Sequence, residues 1–427
     1  MKKMFTNCNS LSSLDVSKFN TEKVIDMGNM FQGVRTIKEL DVSNFDTSHV
    51  TDMSYMFSNL DNVKKLDVSK FDTSNVEDFS GMFQIMRSLS SLDVSNFDTR
   101  KATDMSYMFQ SVMFITELDV SKFDTKNVED MYSMFSGCSY LNSLDLSKFV
   151  TNKVKDMSYM FSSCEKIISL DLSSFDTSNV RDMSHMFDQC QKLTEMKGIN
   201  EFNKRYVTDM EGMFNYCQNI KSLDLSSFSV QRVENMASMF RYVRSIQSLD
   251  LSNFVTTSVK TMDSMFSSSL FEKIDLKGFD TKNVENMSRM FNGAYKLKSI
   301  DLSNFDTTKV TEVQSMFEGC EVIEKIQFSD KFKCSKCTTM ESLFANCQLL
   351  ESLDLAYFDT SRVTNMKSMF RGMKKLTSLD LSNLDISSVK DLAFWFSDCE
   401  NLQQLDTSKL IGTNVLSMQN SFDGCSS

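Results

Sequence analysis

An aspartate that follows an apolar residue recurs in fourteen of sixteen successive segments of the chain, as Asp15, Asp41, Asp67, Asp93, Asp119, Asp145, Asp171, Asp224, Asp250, Asp275, Asp301, Asp354, Asp380 and Asp406. Carboxylates at regular intervals can exchange protons in pairs, hold a divalent cation or present charge to a partner. Here they are so frequent that pairing singles out no catalytic position. Stacked at strand spacing, neighbouring carboxylates repel by roughly 1 kcal/mol even in water, so something must compensate them. Three compensators are available: backbone amides of the following Ser-x-Phe turn, nearby lysines such as Lys18, Lys70, Lys122 and Lys148, or calcium. The two segments without the Asp carry Lys197 and Gln327, and both also contain a one-residue insertion, at Met196 to Phe202 and Ile326 to Phe332. Loss of the Asp together with an irregular turn argues for a turn-forming role. Calcium is the weaker candidate, because the glycine-rich nonapeptide of calcium-binding repeats is absent.

Other chemistry-bearing residues are sparse. Cys334 and Cys337 form a lone Cys-x-x-Cys without the second pair that a zinc site requires. The chain has two histidines, His49 and His185, neither at a repeating position, and twelve glycines with no phosphate-binding loop. No cofactor is expected, and the chain reads as a non-enzyme.

What must position these residues is a repeat. A Phe returns at Phe5, Phe31, Phe57, Phe83 and onward to Phe422 in steps of 26 residues, with slips at only three places. The consensus is Leu-x-x-Leu-Asp-Leu-Ser-x-Phe-Asp-Thr-Ser-x-Val-x-Asp-Met-Ser-x-Met-Phe-x-x-Cys-x-x, as in 141–166. Leu144-Asp145-Leu146 alternates with period two and predicts a brief strand with its Asp outward. Val154, Met157, Met160, Phe161, Cys164 and Ile167 fall at three-and-four spacing and predict a helix. Thr73 and Ser74 ahead of Val76 read as its start signal, with Ser74 and Glu77 as a capping box. Further aspartates such as Asp46 and Asp52 then fall in the turn and in the first helical turn.

The core is set by the same columns. Of 32 Met, 28 occupy the two Met positions, and of 36 Phe, 31 occupy the turn or Met-Phe positions, so these residues are scaffold. Nine of eleven cysteines share one column, from Cys8 through Cys138, Cys164, Cys190 and Cys217 to Cys425, where other repeats carry Val34 or Leu60. They are expected to be buried free thiols, since side chains stacked in parallel seldom meet disulfide geometry.

A net charge of −11 disfavours nucleic acid as a partner. No stretch approaches 18 apolar residues, which disfavours direct membrane insertion. Met1-Lys2-Lys3-Met4-Phe5 runs straight into repeat sequence without a signal-peptide apolar region. The expectation is that the chain is cytoplasmic or that its export and anchoring segments lie outside it.

Phrases such as 170–180, Leu-Asp-Leu-Ser-Ser-Phe-Asp-Thr-Ser-Asn-Val, followed by Asp182-Met183-Ser184-His185-Met186-Phe187, resemble the BspA-type repeat of bacterial surface proteins. They are also similar to the unknown-function repeat domain of mycoplasma surface lipoproteins. The resemblance covers essentially the whole chain and implies a leucine-rich-repeat-like protein of the cell surface, engaged in adhesion to host proteins or other cells. The chain departs from the usual leucine-rich repeat in placing Phe175 and its equivalents where Asn or Cys is typical.

The expected fold is an α/β solenoid, a leucine-rich-repeat-like right-handed coil of about sixteen 26-residue strand-turn-helix repeats. It forms a single domain over 1–427, irregular near 196–202, 266–274 and 326–337. The expected function is an adhesion or protein-interaction module that binds a protein or glycan through its exposed strand face. The candidate contacts are Asp41, Asp67, Asp93, Asp119, Asp145 and Asp171, with the variable residues ahead of this column, Glu39, Lys65, Glu117, Glu195, Lys273 and Lys325. The alternative is a structural or intracellular scaffold. The chain begins and ends in the same phase of the repeat, which invites head-to-tail self-association.

Overall fold

A computed structural model describes residues 1–202, 205–228, 230–406, 408 and 414–426. Where a strand is present it begins one residue before the Leu-Asp-Leu tripeptide and ends at or before its Asp position. β1 (Ser169–Asp171) pairs in parallel with β2 (Glu195–Lys197), residue for residue one repeat on. β3 (Ser248–Asp250) pairs with β4 (Lys273–Asp275), β5 (Ser299–Asp301) with β6 (Lys325–Gln327), and β7 (Ser378–Leu379) with β8 (Gln404–Leu405), all parallel. Leu170, Leu249 and Ile300 are buried while the residues on either side face out or are half-buried, as the period-two pattern requires.

The expected helix is not formed. In the segment from Val154 to Ile167, Tyr159 and Ser163 both take a left-handed backbone, with φ of 58° each. The amides of Met157, Tyr159, Phe161 and Ser163 donate to Asp182, Ser184, Met186 and Asp188 of the next repeat at 2.7 to 3.1 Å. The amides between them, on Met160, Ser162 and Cys164, donate back three residues to Met157, Tyr159 and Phe161 at 3.0 to 3.2 Å. An α-helix would satisfy every amide along its own axis. Here a left-handed residue every fourth position turns alternate amides toward the neighbouring repeat, leaving two successive tight turns. Such turns also bring residues i, i+3, i+4 and i+7 to one side, which is why the apolar spacing imitated a helical face. Among the described residues there is no α-helix, and a single 3-10 turn, Ile199–Glu201, lies inside the insertion at 196–202.

The helix-start signals are reassigned with it. Thr73 is buried, and its Oγ1 accepts the Asp98 amide at 2.7 Å and donates to the Asp98 carbonyl at 3.1 Å, one repeat on. Thr47, Thr99 and Thr125 do the same to Asp72, Asp124 and Val150. The hydroxyl column therefore extends the backbone ladder. Ser74 and Glu77 make no capping box: the Ser74 amide donates to Asp72 Oδ1 and that of Glu77 to the Thr51 carbonyl.

Packing follows the columns. The Met-Phe rings stack at 5.7 to 5.9 Å from Phe31 through Phe57, Phe83, Phe109 and Phe135 to Phe161, with interplanar angles of 13° or less. Val, Met, Leu and the column cysteines close the interior. Each of Cys138, Cys164 and Cys190 donates its thiol to the carbonyl of Phe109, Phe135 and Phe161 respectively, at 3.1 to 3.2 Å. All eleven cysteines are free. Contacts group the chain into two compact units, 1–207 with 216–227 and 208–215 with 228–427.

Candidate interaction faces

Every one of the fourteen strand-flanking aspartates accepts, on Oδ1, the amide of the residue two positions on, at 2.8 to 3.0 Å. A carboxylate closing its own turn is a strong local device, and it favours the charged form. The Ser43, Ser69 and Ser95 hydrogen bonds hold Asp41, Asp67 and Asp93 below the ordinary carboxylate range. In the repeat that lacks the Asp, Lys197 reaches across β1 and β2 to Asp171 at 2.8 Å, and this bond lowers Asp171 to about 2. Turn amides and this lysine supply compensation that the sequence left open between amides, lysines and calcium. Among the described residues, no group of three or more His, Cys, Asp or Glu is placed to hold a metal ion.

The twelve candidate contacts Asp41, Asp67, Asp93, Asp119, Asp145, Asp171, Glu39, Lys65, Glu117, Glu195, Lys273 and Lys325 are all exposed. Lys273 and Lys325 lie in the second unit and the others in the first. Open depressions run along this face. One is lined by Lys65, Asp67, Asp93, Glu117 and Asp119, another by Asp15, Lys38 and Glu39, and in the second unit a third by Asp250, Lys273, Asp275, Lys277 and Asp301.

Cys334 and Cys337 are buried, and Cys337 is pushed up by its hydrogen bond with Cys334 and by burial. That is the opposite of the exposed, thiolate-favouring setting a redox or zinc cysteine needs. Cys334 stands in the Thr column, and its amide donates to Thr307 Oγ1 at 2.9 Å.

A second polar face was not anticipated as a unit. The aspartates expected in a first helical turn instead form a parallel ladder, each bridged to the next: Asp26, Asp52, Asp78, Asp104, Asp130, Asp156 and Asp182. Burial and the neighbouring aspartates raise Asp78, Asp130 and Asp156, while Ser54 and Lys2 outweigh burial at Asp52 and lower it. Beside the ladder runs an aromatic row: Tyr107 and Tyr132 lie 4.8 Å apart, Tyr132 and Tyr159 5.8 Å, Tyr159 and His185 4.6 Å. The His185 Nδ1 is 3.1 Å from Asp188 Oδ2. Tyr55 lies across Gly81, where an added Cβ would come within 2.3 Å of its ring. The signal was present in Asp-Met-Ser-Tyr-Met-Phe at 52–57, 104–109 and 156–161. Tyr132 stands one position off the column of Tyr107 and Tyr159, so the repeat alone does not place it in the row.

No helix among the described residues is long and apolar enough to cross a membrane. A family profile described as "Mycoplasma protein of unknown function, DUF285" matches residues 1–118, 86–195, 165–273, 244–329 and 321–427. No curated protein matches the chain by sequence. Among solved structures, the chain is similar to a leucine-rich repeat protein from Bacteroides ovatus, at 17% identity over 79% of this chain and 80% of that one, TM-score 0.43. It is similar to a leucine-rich cell surface protein from Faecalibacterium prausnitzii, at 17% identity over 73% and 79%, TM-score 0.41. A leucine-rich repeat protein from Eubacterium ventriosum matches at 15% identity over 89% and 82%, TM-score 0.36.

Proposed function

We propose, from the premise that this chain belongs along its whole length to the DUF285 repeat family, that it is a non-enzymatic interaction module of the bacterial surface, a single repeat domain that binds a protein or glycan. The observation that supports the reading is the run of open, mixed-charge depressions along the strand face, where exposed variable residues such as Lys38, Glu39, Lys65 and Glu117 stand beside the turn aspartates. The Asp column itself holds the turns. The variable residues ahead of it, Glu39, Lys65 and Glu117, are exposed and differ from repeat to repeat, so they can encode specificity.

The test is a combined Glu39→Ala, Lys65→Ala and Glu117→Ala variant, which leaves every turn aspartate intact. Screened with the wild type on arrayed glycans and extracellular-matrix proteins, it is expected to lose at least tenfold affinity, about 1.4 kcal/mol, for the ligand that the wild type takes. Unchanged binding would move the site off this face. Protease treatment of intact cells addresses location: cleavage supports a surface module, and protection favours an intracellular scaffold, including one that assembles head to tail.

A further inference from the structure

The ladder that begins at Asp26 carries more charge than its backbone role requires. In the second unit the same register mixes acidic residues, Asp209, Glu312 and Asp391, with the neutral Asn235, Thr261, Asn286, Thr339, Asn365 and Ser417. Asn235, Asn286 and Asn365 still accept the amide two positions on through Oδ1, at 3.0, 2.8 and 2.9 Å. A neutral amide therefore closes this turn. In the first unit six aspartates from Asp52 to Asp182 stack in succession instead, and their mutual repulsion is not a demand of the fold.

One cation already shows what the ladder can do. Lys2 places its Nζ 3.1 Å from Asp26 Oδ2 and 3.2 Å from Asp52 Oδ2, so a single ammonium bridges two successive carboxylates. Among the described residues, no Lys or Arg lies within ion-pair distance of Asp78, Asp104, Asp130 or Asp156. The aromatic row beside them offers π faces and edges suited to Lys and Arg stems. At strand spacing, five steps from Asp52 to Asp182 span about 24 Å, the length of an extended peptide of about seven residues.

We propose that the Asp52 to Asp182 ladder and the Tyr55, Tyr107 and Tyr132 row together form a docking track for an extended, cationic polypeptide segment, each ammonium or guanidinium bridging adjacent carboxylates as Lys2 does. The track is separate from the strand face and does not depend on that face binding anything.

The probe is a fluorescein-labelled peptide of alternating Lys and Thr, eight residues long, titrated by anisotropy into the full chain. A combined Asp78→Asn, Asp104→Asn and Asp130→Asn variant preserves the turns, and is expected to bind at least tenfold more weakly. Asp67→Asn, Asp93→Asn and Asp119→Asn together remove the same charge from the strand face and are expected to change binding less than threefold. Tyr107→Leu with Tyr132→Leu is expected to weaken it severalfold, with an unchanged unfolding midpoint. Equal weakening by the two Asn variants would reduce the effect to net charge and overturn the proposal. Binding of a neutral oligosaccharide that is lost in the Tyr variant and kept in the ladder variant would also overturn it, in favour of a glycan track.

Discussion

The residue that most clearly separates this coil from a helical repeat is the left-handed one. It recurs at two positions per repeat, for example Tyr55 with Asn59 and Ser133 with Gly137. At the second of these positions the chain mostly carries Asn, Gly or Ser, residues that tolerate or locally compensate that conformation. This was legible in the recurring Gly33, Asn59 and Gly137, and the helical spacing around them drew attention away. Gln189, Tyr216, Tyr242, Asp398 and Ile85 depart from this, and of these Ile85, at φ 57°, is β-branched. A β-branched residue there costs roughly 1 to 2 kcal/mol. Ile85→Asn, copying Asn59 one repeat earlier, is therefore expected to stabilise the chain by about 1 kcal/mol, read as a higher denaturant midpoint at unchanged m-value. A lower midpoint would show that the packing of the half-buried Ile85 side chain outweighs the backbone strain.

At the scale of the element, turn-closing aspartates of the strand face and three aspartates of the ladder are shifted in opposite directions. On the strand face Asp41, Asp67, Asp93 and Asp171, the last at about 2, are held down, so their stabilisation is present above the unfolded carboxylate range and is lost as pH falls through the folded value. The ladder aspartates Asp78, Asp130 and Asp156 are raised, so they contribute relative stability when protonated and lose it as pH rises through their folded values. The combined Asp78→Asn, Asp104→Asn and Asp130→Asn variant is accordingly expected to be more stable than the wild type at pH 7, by roughly 1 kcal/mol for each neighbouring pair relieved. Its advantage should shrink as pH falls through the carboxylate range, which thermal unfolding at pH 7 and pH 3 would measure. A constant advantage across that range would assign it to something other than charge. The strands from Ser169 onward, the turn role of the Asp and most of the buried cysteines were legible because each rests on a local pattern of period two or on a single column. The same pattern predicts a strand in every repeat, and among the described residues none forms before Ser169, while Cys8 and Cys425 are only half-buried. The turns between Val154 and Ile167 were not legible, since four-residue turns and an α-helix bury the same spacing and differ only in where their amides point. The same ambiguity concealed the Thr column, whose partners lie 25 residues away.

For each unit, the consequence is that the backbone ladders, the Thr hydroxyls and the ring stacks all join a repeat to its neighbour. Within the first unit Phe83 donates its amide to Met108, Phe109 to Met134 and Phe135 to Met160, and the rings stack in the same order. Such an array behaves as a chain of repeats coupled through their interfaces, and a defect weakens the two interfaces it touches before any others. Phe109 is fully buried between Phe83 and Phe135, with ring centroids 5.8 and 5.7 Å away. Phe109→Ala leaves a ring-sized cavity and is expected to cost about 3 to 5 kcal/mol, because the flanking backbone ladders limit collapse. Native-state hydrogen exchange should place that loss: the amides of Phe83, Phe109 and Phe135 are expected to lose most protection, with Phe31 and Phe187 changing least. Equal loss from Phe31 to Phe187 would mean that the first unit opens only as a whole, its interfaces too strong for a defect to stay local.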